Sequence, residues 1–303
     1  MSKIQGLVCA PFTAFDAQGS VDLAKVSLQA KFYKDNGVSG VFACGTTGEG
    51  SSLTMPEKKA LFKEWAGQRS EGFAVIGFLG GTSLEDCKDL ARYAREVGLD
   101  AVAMTAPYYQ RPASVKDLAM AVAEVASAVP DMPFYFYHIP VITKVAFPMI
   151  RFLEIVDGLI PNFAGIKYTD ENMMDYQQCL EFGNRKYNIM WGRDEMLLEA
   201  LSIGARTFVG STYGYMAPIY HAITEAFDSG NMVKAASLQF EAVKLITLLD
   251  KYGSGCGKAY MKAAGMDLGP CRRPLNTMGD TIYKAFLEEL SGTAFGEFKN
   301  ILK

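Results

Sequence analysis

The sequence is poor in histidine and tryptophan: among its 303 residues there are two of each, the histidines being His138 and His221. So few imidazoles leave no His cluster for a zinc site, and neither histidine has the partners that a Ser-His-Asp triad requires, so both read as structural. The six cysteines (Cys9, Cys44, Cys87, Cys179, Cys256 and Cys271) are widely scattered without a CxxC pair. They fit reduced thiols better than a disulfide framework or a metal ribbon. Basic runs are missing as well; 30 Lys+Arg face 33 Asp+Glu, a net charge of −3, which argues against nucleic acid as a partner. No apolar stretch is long enough to cross a bilayer, and the opening "MSKIQGLVCAPFTAF" lacks the apolar core and cleavage site of an export signal. The expectation is a cytoplasmic chain with no membrane partner.

What is present is a repeating alternation. Short apolar, β-branched or aromatic runs begin near Gly6, Gly40, Phe73, Ala101, Pro133, Phe163, Tyr187 and Arg206, a mean spacing of roughly 29 residues over seven intervals. That is about the chain a βα unit with short loops requires. Between the runs lie helical patterns. "SLEDCKDLARYAREVG" opens on Ser83 with acidic residues behind it and stops at Gly98, and "SLTMPEKKALFKEWAGQ" spaces its apolar residues over one face. Eight alternating units with strands buried on both faces predict a (β/α)8 TIM barrel. The competing open doubly wound sheet lacks its GxGxxG turn. From about Ala217 onward only helical patterns occur. The expected organisation is a catalytic barrel over residues 1–230 and a C-terminal helical extension over 231–303, with "NMVKAASLQFEAVKLITLLDKY" serving as the barrel's last helix.

Chemistry in such a barrel gathers at the C-terminal ends of the strands. Here those ends read "CGTTGEG", "PYYQRP", "YFYHIP", "IKYTD", "GRDE" and "GSTYG". Alternation puts Tyr135 and Tyr137 on one face of their strand, and Gly165, Lys167 and Thr169 on one face of the next. If those are the lumen faces, a phenol and an amine meet at one height, and His138 points toward the helices. Taken alone, Lys167 reads as a strand-end charge. In this company a desolvated amine has a use. Burial favours the neutral form, which attacks carbonyls and forms Schiff bases. Tyr137 can move a proton, and "GTTG" offers hydroxyls and backbone N–H groups to a carboxylate. Taken alone, Asp194 and Glu195 read as an acidic pair at a helix start, and Glu49 as a structural acceptor for backbone N–H groups.

Taken in order, "GTTGE", "PYYQRP", "YFYHIP", "GIKYTD" and "GSTYG" closely resemble the pyruvate-dependent class I aldolases, the family of the sialic acid lyases and dihydrodipicolinate synthases. The resemblance covers nearly the whole chain. It implies that Lys167 forms the Schiff base, that Thr46 and Thr47 bind the substrate carboxylate, and that Tyr137, helped by Thr47, transfers the proton. Tyr109 resembles a tyrosine that reaches across a subunit interface. Within the family, "YHIPVITKV" sets Ile142 where the synthases usually carry an arginine for a second carboxylate, and it sets Lys144 where the lyases often carry glycine. "WGRDE" resembles the lyase pattern, with Gly192, Asp194 and Glu195 on a polyhydroxylated tail and Thr169 and Ser211 in the same pocket. The resemblance therefore implies reversible cleavage of N-acetylneuraminate to N-acetylmannosamine and pyruvate, no metal or organic cofactor, and a homotetramer. The rivals are a dihydrodipicolinate synthase or another 2-keto sugar acid aldolase, and a keto-acid-binding barrel without activity.

Overall fold

Eight parallel strands close into a barrel in the order of the chain, β1 (Gly6–Cys9), β2 (Gly40–Ala43), β3 (Ala74–Gly80), β4 (Ala101–Thr105), β5 (Phe134–His138), β6 (Phe163–Tyr168), β7 (Asn188–Trp191) and β8 (Thr207–Gly210), with β8 pairing back to β1. This is a TIM barrel, seen here in a computed structural model that describes residues 3–303. Each strand begins within one residue of the apolar run that predicts it.

Alternation sorts the strand residues into two layers. Val8, Phe42, Ile76, Ala103, Tyr135, Tyr137, Met190 and Val209 pack inside the barrel. Phe134, Phe136, Ile166 and Tyr168 pack outward against the helices. Side chains that alternate across a pleated strand give this division wherever both faces are buried. The bottom of the lumen closes with a polar plug. The Tyr135 hydroxyl donates to Asn188 Oδ1 at 3.3 Å, and Asn188 Nδ2 donates to Thr207 Oγ1 at 3.0 Å and to the Ile4 carbonyl at 3.2 Å.

The helices start where their sequences provide caps. Ser83 accepts from the Asp86 N–H before helix Leu84–Val97, which stops at Gly98 with φ +80°, a left-handed position that glycine adopts without a steric penalty. Thr54 and Glu57 form a reciprocal capping box on helix Met55–Ala66. A longer-range cap also occurs. Asp175, in helix Met173–Arg185, accepts from the Met149 and Ile150 N–H groups at the start of helix Met149–Leu159 and from the Tyr168 hydroxyl.

One expectation fails. The last barrel helix is Tyr213–Asp228, which follows β8 directly and packs on β1; Met232–Tyr252 packs outside it. Helical patterns read from about Ala217 overlap this earlier helix, which carries Pro218 inside it and departs from helical geometry two residues before, at Met216. All six cysteines are unpaired, and all but Cys271 are buried. Among the described residues, no helix is long and apolar enough to cross a membrane, and no group of three or more His, Cys, Asp or Glu side chains is placed to hold a metal.

Candidate active site

The site begins at the register of β5 and β6. Tyr137 pairs with Lys167 directly across the two strands, so a phenol and an amine leave the lumen wall side by side. Lys167 is 4% exposed, and its Nζ lies 4.0 Å from the centre of the Tyr137 ring and 4.1 Å from that of Phe42. Tyr137 in turn meets Phe42 and Phe78 edge-on, at 5.4 and 5.7 Å. These aromatic faces exclude water from the amine and draw it over them, a contact worth about 2 kcal/mol for a desolvated cation. Among the described residues the amine has neither a carboxylate within ion-pair distance nor a hydrogen-bond partner. It is neither in bulk solvent nor locked to an acid. Thr105 fixes the strand end next to it, donating to the Tyr137 carbonyl at 2.8 Å.

The β2 turn supplies the next wall. Residues 45–48 run between Cys44 and Glu49, both at positive φ (59° and 55°), a region costly for residues other than glycine. The turn is tight enough that a Cβ on Gly50 would lie 1.8 Å from the Cys44 carbonyl oxygen. Thr13 Oγ1 donates to the Gly48 carbonyl at 2.6 Å. The backbone N–H groups of Thr46 and Thr47 find no acceptor among the described residues. Two hydroxyls and two free N–H groups at a lumen mouth suit an anion.

Opposite stands the turn after β7. A cavity of about 200 Å³ joins Thr46, Thr47, Tyr137 and Lys167 to Gly192, Asp194, Glu195 and Ser211. Asp194 is buried. Its Oδ2 accepts from the Thr212 N–H at 3.1 Å and from Thr212 Oγ1 at 2.6 Å, while Oδ1 has no partner and rests against Gly210, where a Cβ would lie 1.7 Å away. Burial pushes the Asp194 carboxyl up to about 6, opposed by the Thr212 hydrogen bonds. Glu195 is steered by Arg193, whose guanidinium lies 3.2 Å from Glu195 and also pairs with Glu171.

The sequence-derived residues thus fall into three groups. Lys167, Tyr137, Thr46, Thr47, Gly192, Asp194, Glu195 and Ser211 line one cavity. Thr169 stands behind Gly192, its hydroxyl buried without a partner 2.0 Å from where a Gly192 Cβ would be; Gly192 leaves room for it. Tyr109 is 83% exposed and outside that cavity in the single chain. Its neighbour Tyr108, with Ile142, lines an adjoining space of about 250 Å³ that shares Thr46, Tyr137 and Ile139 with the first. Sequence reasoning missed Thr212, Arg193 and the wall residues Ile246 and Leu249. The last two come from helix Met232–Tyr252, so the C-terminal extension reaches the site. From the same helix Gln239 donates to the Asp194 and Glu195 carbonyls (3.3 and 3.0 Å) and accepts from the Leu198 N–H (3.1 Å). Arg193 and Thr212 sit within the "GRDE" and "GSTYG" runs without a role the pattern assigns them, and no motif marks Gln239, Ile246 or Leu249, whose contacts are made only after folding.

Fold and site together define a class: a (β/α)8 barrel built around a lumen lysine beside a tyrosine, the arrangement of a class I aldolase. Residues 3–292 match the model of the dihydrodipicolinate synthetase family, and the chain belongs to that family. N-acetylneuraminate lyase A of Xenopus laevis is 35% identical over 278 residues, covering 90% of this chain and 91% of its own. The N-acetylneuraminate lyase of Rattus norvegicus is 36% identical over 282 residues, covering 90% and 87%. The solved structure of Proteus mirabilis N-acetylneuraminate lyase superposes with a TM-score of 0.94 at 32% identity, covering 97% of this chain and 100% of its own.

Proposed function

We propose that the chain is a sialic acid aldolase, cleaving N-acetylneuraminate reversibly to N-acetylmannosamine and pyruvate. The observation that carries this reading is the Lys167 amine, buried over the Tyr137 ring in a cavity whose far wall is Asp194, Glu195 and Ser211. The relatives named above bear the same activity in their names.

In the cleavage direction the Lys167 amine adds to the keto carbon of the open-chain sugar, and water leaves to give an iminium. The substrate carboxylate sits on the Thr46–Thr47 turn. Tyr137 accepts the C4 hydroxyl proton as it passes its own phenolic proton, with Thr47 assisting, to that carboxylate, from which it returns for the later protonation at C3. The C3–C4 bond breaks, its electron pair passing into the iminium to leave an enamine, while C4 becomes the aldehyde of N-acetylmannosamine. Protonation at C3 and hydrolysis then release pyruvate and restore the amine. A polyhydroxylated tail needs acceptors as well as donors, since each buried hydroxyl left unmatched costs about 1–3 kcal/mol. Asp194, Glu195 and Ser211 supply both. Ile142, 51% exposed, offers nothing to a second carboxylate, which favours the lyase over a dihydrodipicolinate synthase. The covalent step draws on no metal or organic cofactor.

The same reading makes the enzyme a cytoplasmic homotetramer, with Tyr109 covered by a second copy and brought toward the Tyr137 relay. Exposed Val141 and Ile142, in the short helix Pro140–Thr143 after the neighbouring strand, fit an apolar contact there.

Borohydride reduction in the presence of pyruvate tests the centre of this proposal. A mass gain equal to the reduced pyruvate adduct, mapped to the peptide bearing Lys167 and lost in Lys167→Ala, is expected. No adduct on the wild type would leave a binding barrel instead. Assay of N-acetylneuraminate cleavage against condensation of pyruvate with aspartate semialdehyde separates the two enzyme readings.

A further inference from the structure

We infer that a buried ion-pair clamp from the C-terminal extension, Glu49–Lys258 with Arg272, positions the Thr46–Thr47 turn for the substrate carboxylate. The inference rests on the role proposed above for that turn, and Lys258 and Arg272 are positioning residues, since neither lines the cavity around Lys167.

Glu49 closes the turn and is buried. Its Oε2 accepts from the Arg272 backbone N–H at 2.7 Å, and its Oε1 lies 2.8 Å from Lys258 Nζ, with both side chains at most 6% exposed. Lys258 also donates to the Pro270 carbonyl. The Arg272 guanidinium spans the neighbouring chain, donating to the Gly19 carbonyl at 2.8 Å, to the Ser52 carbonyl at 3.1 Å and to both oxygens of Glu57. Phe15 lies between the two cations, its ring centre 4.5 Å from Lys258 Nζ and 4.4 Å from the Arg272 guanidinium. Residues 269–272 thereby tie the turn's last residue and the helix that follows it to the extension.

Two physical arguments give this tie a purpose. Replacing a buried ion pair with apolar side chains is often neutral or stabilising, so stability alone does not account for one. The turn itself is strained at both ends, at Cys44 and Glu49. Strained backbone persists only where its surroundings over-determine it. A released turn would move its hydroxyls and N–H groups off the carboxylate, and a misplacement of about 1 Å costs up to roughly 100-fold in rate. Glu49 is thus more than the acceptor for backbone N–H groups that its motif suggests.

The test uses the full chain and two ketones, pyruvate and hydroxyacetone, the second lacking a carboxylate. The double variant Glu49→Gln/Lys258→Met removes both charges, leaving neither unpaired. The half-saturating pyruvate concentration for borohydride trapping is expected to rise about tenfold, with hydroxyacetone trapping changed less than about twofold. Unchanged pyruvate saturation, or an equal loss with both ketones, overturns the inference. Arg272→Lys, which keeps the charge and loses the guanidinium fork, is read by the same criteria if the double variant does not fold. Wild type that traps neither ketone removes the proposed function and the clamp with it; wild type that traps pyruvate beside unaffected variants removes the clamp alone.

Discussion

At Asp194 the surroundings oppose ionisation, and the effect is readable as a pH dependence. Burial raises its carboxyl from 3.8 to about 6, so the folded chain holds that proton more tightly than the unfolded chain does. Stability from this residue is therefore greatest below the ordinary carboxyl value, falls as pH rises toward about 6, and levels off above it. Asp194→Asn cannot ionise. Relative to wild type it is expected to gain about 1 kcal/mol between pH 5 and pH 7, measured by urea unfolding at both values; parallel stabilities would contradict the burial argument. The glycines around this carboxylate belong to the same scale. Gly210 and Gly192 are wall positions where a methyl group would collide with Asp194 and Thr169, so what they contribute is space rather than contact.

Helices and strands were the more legible level. The eight strands follow from apolar runs, and the sharing of one face by Tyr135 and Tyr137, and of one face by Gly165, Lys167 and Thr169, follows from alternation, because both signals are local. So do Ser83 and Gly98 as the ends of their helix. That the two strand faces line the lumen is added by the fold. The turn residues Thr46 and Thr47 are marked by a compact motif. Arg272 bonding Glu49 from 223 positions away is not, and neither is Gln239 bonding the Asp194 and Glu195 carbonyls. Nothing in a hydrophobic period predicts which polar side chain of a packed helix will find a turn elsewhere. Helix Met232–Tyr252, expected as the barrel's last helix, instead holds the Asp194–Glu195 turn after β7 from outside the ring of barrel helices. Gln239→Leu leaves two carbonyls and one N–H short of a partner, at a cost of about 1–3 kcal/mol. The Michaelis constant for N-acetylneuraminate is expected to rise while pyruvate trapping stays near wild type; an equal loss in both assays would argue against a tail-specific role.

For the molecule as a whole, the site is divided between the barrel and what surrounds it. The strands deliver the amine and phenol, and the extension steadies turns on both sides of them. A third contribution is expected from another copy of the chain at Tyr109. Light scattering is expected to give four times the chain mass of 33.1 kDa, and Tyr109→Asp, a charge set into an apolar contact, should lower both the assembled mass and the cleavage rate. A wild-type mass of one chain would remove the intersubunit role.

The thiols provide a gauge of how firmly the extension holds these turns, without any engineering. Burial pushes Cys44, Cys87 and Cys256 up to about 12 and raises Cys9 and Cys179 too, so these five are poor nucleophiles until the chain opens. Burial raises the Cys271 thiol as well, but this residue is only half-buried and follows directly on Pro270 and before Arg272, so access rather than ionisation sets it apart. An alkylating reagent applied to the native molecule should therefore label one sulfur early, at a rate set by breathing of the segment that grips the Thr46–Thr47 turn through Glu49, and the other five on the slower clock of global unfolding.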